Sequence, residues 1–263
     1  MKHAAIAVAL LAAACGGSDT QKVTVNFKGM VGSQAFSCTQ TYAALGTAGT
    51  TWTPEDFRLY VHNFRLVDAG GKEYAVTLDN DGVWQDGTVA LLDFEDRTGT
   101  CQNGTPETNF KVTRTADSGS NTGLKFTIGV PDSENHLQVD SQKSPLNVST
   151  LYWSWTSGYK FLDIDGSFLF HLGSAGCTAN DANDPTKGFS TCSEPNRPEI
   201  ALSSFDVSKN TVILDVKSLF AQSDLTQGGM MGGCMSMIGD AACTGVMSTI
   251  GLSSSAQTFV RMQ

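Results

Sequence analysis

Three histidines, His62, His136 and His171, are the first residues to weigh, because imidazole is a ligand for copper, zinc, iron and nickel. The sequence has no H-E-x-x-H and no His-x-His pair, so no local motif makes a site of them. They can share an ion only if two strands and a loop converge. The other reading is three unrelated histidines, each satisfied by ordinary hydrogen bonds. Trp153-Ser154-Trp155 places two indoles on one face of a strand, an arrangement that core packing also explains. Met230, Met231, Met235 and Met237 surround Cys234. Thioethers are soft ligands for Cu(I), and methionine also fills gaps and covers adaptable surfaces.

Other chemistries fit poorly. Gly173-Ser174-Ala175-Gly176 is not a G-x-S-x-G nucleophile elbow, because no residue separates the first glycine from the serine. Asp79-Asn80-Asp81-Gly82 starts like a calcium loop, but Val83 takes the third ligand position and no glutamate closes it, so it reads as a turn. Asp93 and Glu95 are paired carboxylates with nothing to place them in a cleft. The net charge of −9 argues against nucleic acid, since a phosphate-binding face needs clustered Lys and Arg.

The N-terminus reads as an export signal. Lys2 and His3 precede the apolar run Ala4–Ala14, which is shorter than the about 20 residues needed to span a bilayer. Leu11-Ala12-Ala13-Ala14-Cys15 resembles a bacterial lipobox, with Leu11 one residue further out than usual. The expected division is a signal peptide over 1–14, a tether over 15–22 lipidated at Cys15, and a single domain over 23–263. Membrane contact is then expected through the lipid anchor only.

Setting Cys15 aside, six cysteines remain, and an even count in an exported chain implies disulfides. Locality suggests Cys177–Cys192 and Cys234–Cys243, leaving Cys38–Cys101. There is no C-x-x-C pair for zinc or covalent haem.

The elements that must position these residues are mostly strands. Candidates are Val23–Phe27, Phe57–Val67, Glu73–Leu78, Thr88–Phe94, Leu124–Val130, Tyr159–Ile164, Ser167–Leu172, Glu199–Phe205 and Thr211–Val216, with Asp165-Gly166 as a hairpin turn. Period two puts His62 on one face with Tyr60 and Phe64. Residues 131–148, 175–198 and 227–252 read as irregular, the last with a short helix near 242–250. The expected fold is all-β, a β-sandwich or irregular barrel with long disulfide-pinned loops.

Several segments taken in order resemble the MbnP-like family, the metallo-mystery pair system four-Cys motif proteins. They are Val89-Ala90-Leu91-Leu92-Asp93-Phe94-Glu95, Ile128-Gly129-Val130-Pro131 with Asn135-His136, and Ser144-Pro145-Leu146-Asn147. They continue with Trp153-Ser154-Trp155-Thr156-Ser157-Gly158-Tyr159-Lys160-Phe161, Phe170-His171-Leu172-Gly173-Ser174 with Gly176-Cys177, and Gly233-Cys234-Met235. The family name promises four cysteines where this domain has six.

The resemblance implies an extracytoplasmic copper binder, for Cu(I) or Cu(II), with His62, His136 and His171 as ligands. It also implies an MbnH-type dihaem, cytochrome-c-peroxidase-like partner that oxidises a tryptophan to kynurenine. Trp153 or Trp155 is the expected target, ahead of Trp52 and Trp84. An intact indole nitrogen only donates hydrogen bonds, whereas the opened ring carries an aryl amine with a lone pair. Asn63 and Asn135, beside two of the histidines, are the expected partners that hold the rings.

The expectation is therefore a copper-binding protein of the periplasm or cell surface, outer-membrane anchored, acting in uptake, storage or sensing and not itself an enzyme. The alternatives are a metal-free surface module that binds sugar or protein, and a secreted metalloenzyme using the same histidines.

Overall fold

The computed structural model describes residues 20–117, 122–181, 183–184, 188–228, 231–253 and 255–263. The expected signal peptide and Cys15 lie outside the described residues. Two β-sheets carry the fold. The smaller is built on the strand Thr20–Val31, which pairs in parallel with Thr211–Asp215 and antiparallel with Gln34–Ala35 and Lys111–Asp117. Val260–Met262 adds to its edge. This first strand begins earlier than the sequence suggests. Thr20, Gln21 and Lys22 pair with Asp117, Ala116 and Thr115, so they belong to the sheet rather than to a tether.

The larger sheet is organised around Pro54–Val67, a strand of 14 residues flanked by Leu162–Gly166, Val89–Asp93, Gly123–Ile128 and Glu73–Ala75. Leu162–Gly166 and Leu169–Leu172 form the expected antiparallel hairpin, but Asp165 and Gly166 belong to its first strand, paired with Asp56 and Pro54, and the chain turns at Ser167-Phe168. The sheets face each other through aromatic side chains. Phe27 of the small sheet meets Phe64 and Phe126 of the large one edge-on, and the latter two stack on each other. All-β is thus the observed class. Among the described residues no helix is long and apolar enough to cross a membrane.

The long strand is not uniform. A register shift falls between His62 and Arg65, and Asn63 sits there with φ of 53°. Such an irregularity moves every later side chain to the opposite face. Phe57 packs into the core before it and Phe64 after it. His62 therefore shares its face with Asp56, Arg58 and Tyr60 but not with Phe64, contrary to simple alternation. That second face is covered by the chain from residue 131 to 160. Tyr60 and Tyr159 donate their hydroxyls to the carbonyls of Pro145 and Leu146, and Arg58 reaches Thr150.

Two stretches that read as irregular hold structure. Residues 175–179 and 189–194 form a hairpin with Cys177 directly opposite Cys192. The helix Cys243–Thr249 is shorter than expected, and Cys243 joins it to Cys234 on the strand Gly233–Cys234. The bridges are Cys38–Cys101, Cys177–Cys192 and Cys234–Cys243, the pairing that locality suggested. The Asp79–Gly82 segment is a turn: Asp81 Oδ1 accepts the amides of Val83, Trp84 and Gln85.

Candidate metal centre

The three histidines project from the covered side of the large sheet and its overlying loop. His62 is nearly buried on the central strand, opposite Thr127. Its Nδ1 donates to Gly129 O at 2.8 Å. A carbonyl only accepts, so Nδ1 carries the proton and Nε2 the lone pair. Burial, with the charge of Arg197 adding to it, lowers the His62 pKa to about 4, so the ring is neutral at pH 7.

His136 ends the short helix Asp132–Asn135. Its Nδ1 donates to Trp155 O at 2.9 Å. Nε2 then faces the Asn135 amide nitrogen at 3.0 Å and Cys192 Sγ at 3.5 Å. Burial lowers this pKa too, partly opposed by the hydrogen bond to Trp155. Asn135 is a hub: its Oδ1 accepts Tyr159 N at 3.0 Å, and Gly158 leaves the room, since a Cβ there would lie 2.5 Å from the amide. Asn135 does lie beside His136, but it meets Nε2, the nitrogen with the lone pair; the opposite nitrogen, which Asn135 was expected to hold, is held by Trp155 O. Asn63 does not hold His62; its amide reaches Thr127 Oγ1 instead, and Gly129 O takes the ring.

His171 is different. It lies opposite Asp163 in the hairpin, and the alternation Asp163-Ile164-Asp165 puts both carboxylates on its face. Its Nε2 lies 2.5 Å from Asp165 Oδ1 and 2.9 Å from Asp163 Oδ1. Burial disfavours the charged ring, but the two carboxylates outweigh it and raise His171 to about 9. Burial likewise opposes Asp163, yet His171 and Lys160, the latter at 2.7 Å, hold it down to about 2. Arg58 continues the network, paired with Asp56 and within electrostatic reach of Asp93 and Asp163. The remaining nitrogen, His171 Nδ1, is buried and has no hydrogen-bond partner among the described residues.

Trp153 and Trp155 link these places. The Trp153 ring lies 6.3 Å from the His171 ring, centroid to centroid. Gly173 permits this, because a Cβ there would meet the indole at 2.4 Å. Trp155 supplies the carbonyl that holds His136. Trp153 also lines an open cavity of about 700 Å³ with Met235, Met237 and Cys177. The other two tryptophans are placed elsewhere. Trp52 is fully buried between Tyr42 and Phe220 and donates to Phe168 O, and Trp84 packs on the core edge. Of the methionines near Cys234, Met231 and Met237 are exposed, while Met230 lies outside the described residues.

Among the described residues, three clusters bring three ligand atoms within 4.8 Å of one another. They are Asp163 with Asp165 and His171, His136 with Cys177 and Cys192, and Glu95 with Cys38 and Cys101. None unites His62, His136 and His171. The rings are joined by their supports instead: the 129–136 segment bears both Gly129 and His136, and the strand Tyr152–Ser154 with the turn residue Trp155 touches both His171 and His136.

The family model for MbnP matches residues 20–236. The chain belongs to the MbnP family. A solved structure, MbnP from Methylosinus trichosporium, is similar over 93% of this chain and 98% of that one, with a TM-score of 0.79 and 31% identity. No curated protein matches the sequence. The family is associated with methanobactin-related copper systems, which supports a copper-related extracytoplasmic role.

The histidines carry the supports that metal ligands need, although the three do not converge within ligand distance among the described residues. Ligating histidines almost always give their other ring N–H to a carboxylate or carbonyl. All three rings have that arrangement: His62 on Gly129 O, His136 on Trp155 O, and His171 on Asp165, with Asp163 close beside it. The sequence signal for the last was present in the D-x-D alternation beside the hairpin turn. Gly129 and Arg197, which lies within electrostatic reach of both His62 and His136, carried no such signal.

Proposed function

We propose that this chain is an extracytoplasmic copper-binding protein whose ligands are His62, His136 and His171 with an oxidised Trp153. The observation that carries the reading is His171 Nδ1, buried and without a hydrogen-bond partner among the described residues beside the Trp153 ring, while Nε2 is held by Asp165 with Asp163 close by. An unsatisfied buried nitrogen is costly, and a soft ion would satisfy it.

Trp153 is the modified residue, ahead of Trp155. Its indole borders both His171 and the open cavity. Oxidative cleavage of the indole C2–C3 bond adds two oxygen atoms, and hydrolysis then releases formate and leaves the aryl amine of kynurenine. An MbnH-type dihaem partner catalyses this cleavage with two molecules of hydrogen peroxide as the oxidant, which give up the two oxygen atoms and leave as water, so the protein is its client rather than an enzyme. Copper serves uptake, storage or sensing, as Cu(I) or Cu(II). Cys15 anchors the chain to the outer membrane through lipid.

In the metal-free state His171 carries protons on both nitrogens, so binding at Nδ1 releases one. His62 and His136 are already neutral at pH 7 and offer Nε2 without that step. Asp163 and Asp165 orient the His171 ring, and Asn135 gives up its contact with His136 Nε2 as the ion takes that position.

The test uses protein purified from its native host, by copper content and peptide mass. Copper in fixed stoichiometry, lost in both His136→Ala and His171→Ala with the fold retained, together with added oxygen on the Trp153 peptide, is the expected result. Unchanged copper in both variants, or an intact Trp153, overturns the reading.

A further inference from the structure

The Cys177–Cys192 bridge differs in setting from the other two. Cys38, Cys101, Cys234 and Cys243 are all buried at 5% exposure or less. Cys177 and Cys192 are half-buried on a two-stranded hairpin, and Cys177 lines the open cavity of about 700 Å³. A small thiol reductant therefore has access to this bridge first.

His136 completes the picture. Hydrogen bonding of Nδ1 to Trp155 O puts the lone pair on Nε2, and Nε2 lies 3.5 Å from Cys192 Sγ. The three ligand atoms, His136 Nε2, Cys177 Sγ and Cys192 Sγ, all fall within 4.8 Å of one another. With bonds of about 2.3 Å to sulfur and about 2.0 Å to nitrogen, a tetrahedral ion separates those atoms by about 3.5 Å. For a Cys2His metal site, His136 Nε2 and Cys192 Sγ already have that spacing, and the two bonded sulfurs need only move apart once the bridge is cut. What prevents it is the covalent bond between the sulfurs.

We propose that the Cys177–Cys192 disulfide masks a second, redox-gated metal site, in which His136, Cys177 and Cys192 bind a thiophilic ion such as Cu(I) or Zn(II) once the bridge is reduced. Reduction takes two electrons and two protons from a dithiol, which leaves as its own disulfide, and yields two thiols. Ion binding then displaces the thiol protons to solvent, because the thiolate is the ligand. His136 is thereby shared between two donor sets: imidazoles and the modified tryptophan when the bridge is closed, two thiolates when it is open. Cys177 borders the cavity, the route by which an ion would enter. The site does not depend on the proposed copper centre, since it requires neither His171 nor oxidation of Trp153.

The experiment uses the full chain with intact tryptophans, treated with graded dithiothreitol. Mass spectrometry after alkylation identifies which bridge opens, and Co(II) serves as the probe through its sulfur-to-metal charge-transfer absorption. Cys177 and Cys192 are expected to alkylate first. The reduced protein should then bind one Co(II) with thiolate bands that Zn(II) and Cu(I) bleach, while the oxidised protein gives no such bands. His136→Ala should weaken binding by more than about tenfold, the loss seen even when only a residue orienting a ligand is removed. His171→Ala should leave the bands unchanged. Prior opening of either other bridge, absence of bands in the reduced chain, or full affinity in His136→Ala overturns the proposal. A failed copper centre in the oxidised protein leaves this outcome unaffected.

Discussion

His62 and His171 sit on the same face of one sheet and have opposite charge states, and the difference lies in what holds them. His62 gives its N–H to a backbone carbonyl, which has no net charge to offset burial, so its pKa falls to about 4. His171 gives its N–H to Asp165 with Asp163 at 2.9 Å, and the two carboxylates overcome burial and lift it to about 9. His136 follows His62, with a carbonyl partner and a lowered pKa. The acceptor, rather than depth of burial, decides whether a histidine here waits neutral for a metal or must first lose a proton.

The contrast breaks most directly at Asp163. Asp163→Asn removes the carboxylate shared by His171 and Lys160 and leaves their buried positive charges short of a partner. Removing one member of a buried ion pair costs about 3–5 kcal/mol, and urea unfolding of the metal-free variant should show a loss of that size. The same variant should titrate His171 at lower pH, while His62 stays where it is. A stability unchanged within error would mean that the carboxylate pair does not hold the ring.

A smaller effect sharpens the comparison, because the two rings respond to pH with opposite sign. The folded pKa of His171 stands above its ordinary 6.5, so its contribution is complete below about pH 6.5 and lost as pH rises through about 9. The folded pKa of His62 stands below 6.5, so its contribution is present above about pH 6.5 and lost as pH falls through about 4. Each shift corresponds to up to about 3 kcal/mol. Histidine NMR of the metal-free protein should find one ring protonated at pH 8 and another neutral at pH 5. Two rings titrating together near 6.5 would erase the distinction.

Much of this arrangement was legible in the amino-acid sequence. The hairpin was legible, although its turn lies just past Asp165-Gly166, and the alternation Asp163-Ile164-Asp165 brings the carboxylates to His171. Cysteine locality contained the bridges. The shift at Asn63 was hidden, because it depends on how two strands pair across 60 residues of chain rather than on local pattern, and it breaks the period-two reading of His62 and Phe64. Contacts made by loops were hidden for the same reason. Neither Gly129 O against His62 nor Cys192 beside His136 follows from neighbours in the sequence. The hairpin at Cys177 and Cys192 was obscured by polar, turn-forming composition that reads as loop.

The most direct test of the account is which nitrogen of each histidine meets the metal. In copper(I)-loaded protein from the native host, labelled with ¹⁵N-histidine, NMR should show His171 ligated through Nδ1 and His62 and His136 through Nε2. Each opposite nitrogen should remain protonated toward Asp163 and Asp165, Gly129 or Trp155. A His171 Nδ1 resonance that does not move on copper loading would contradict it.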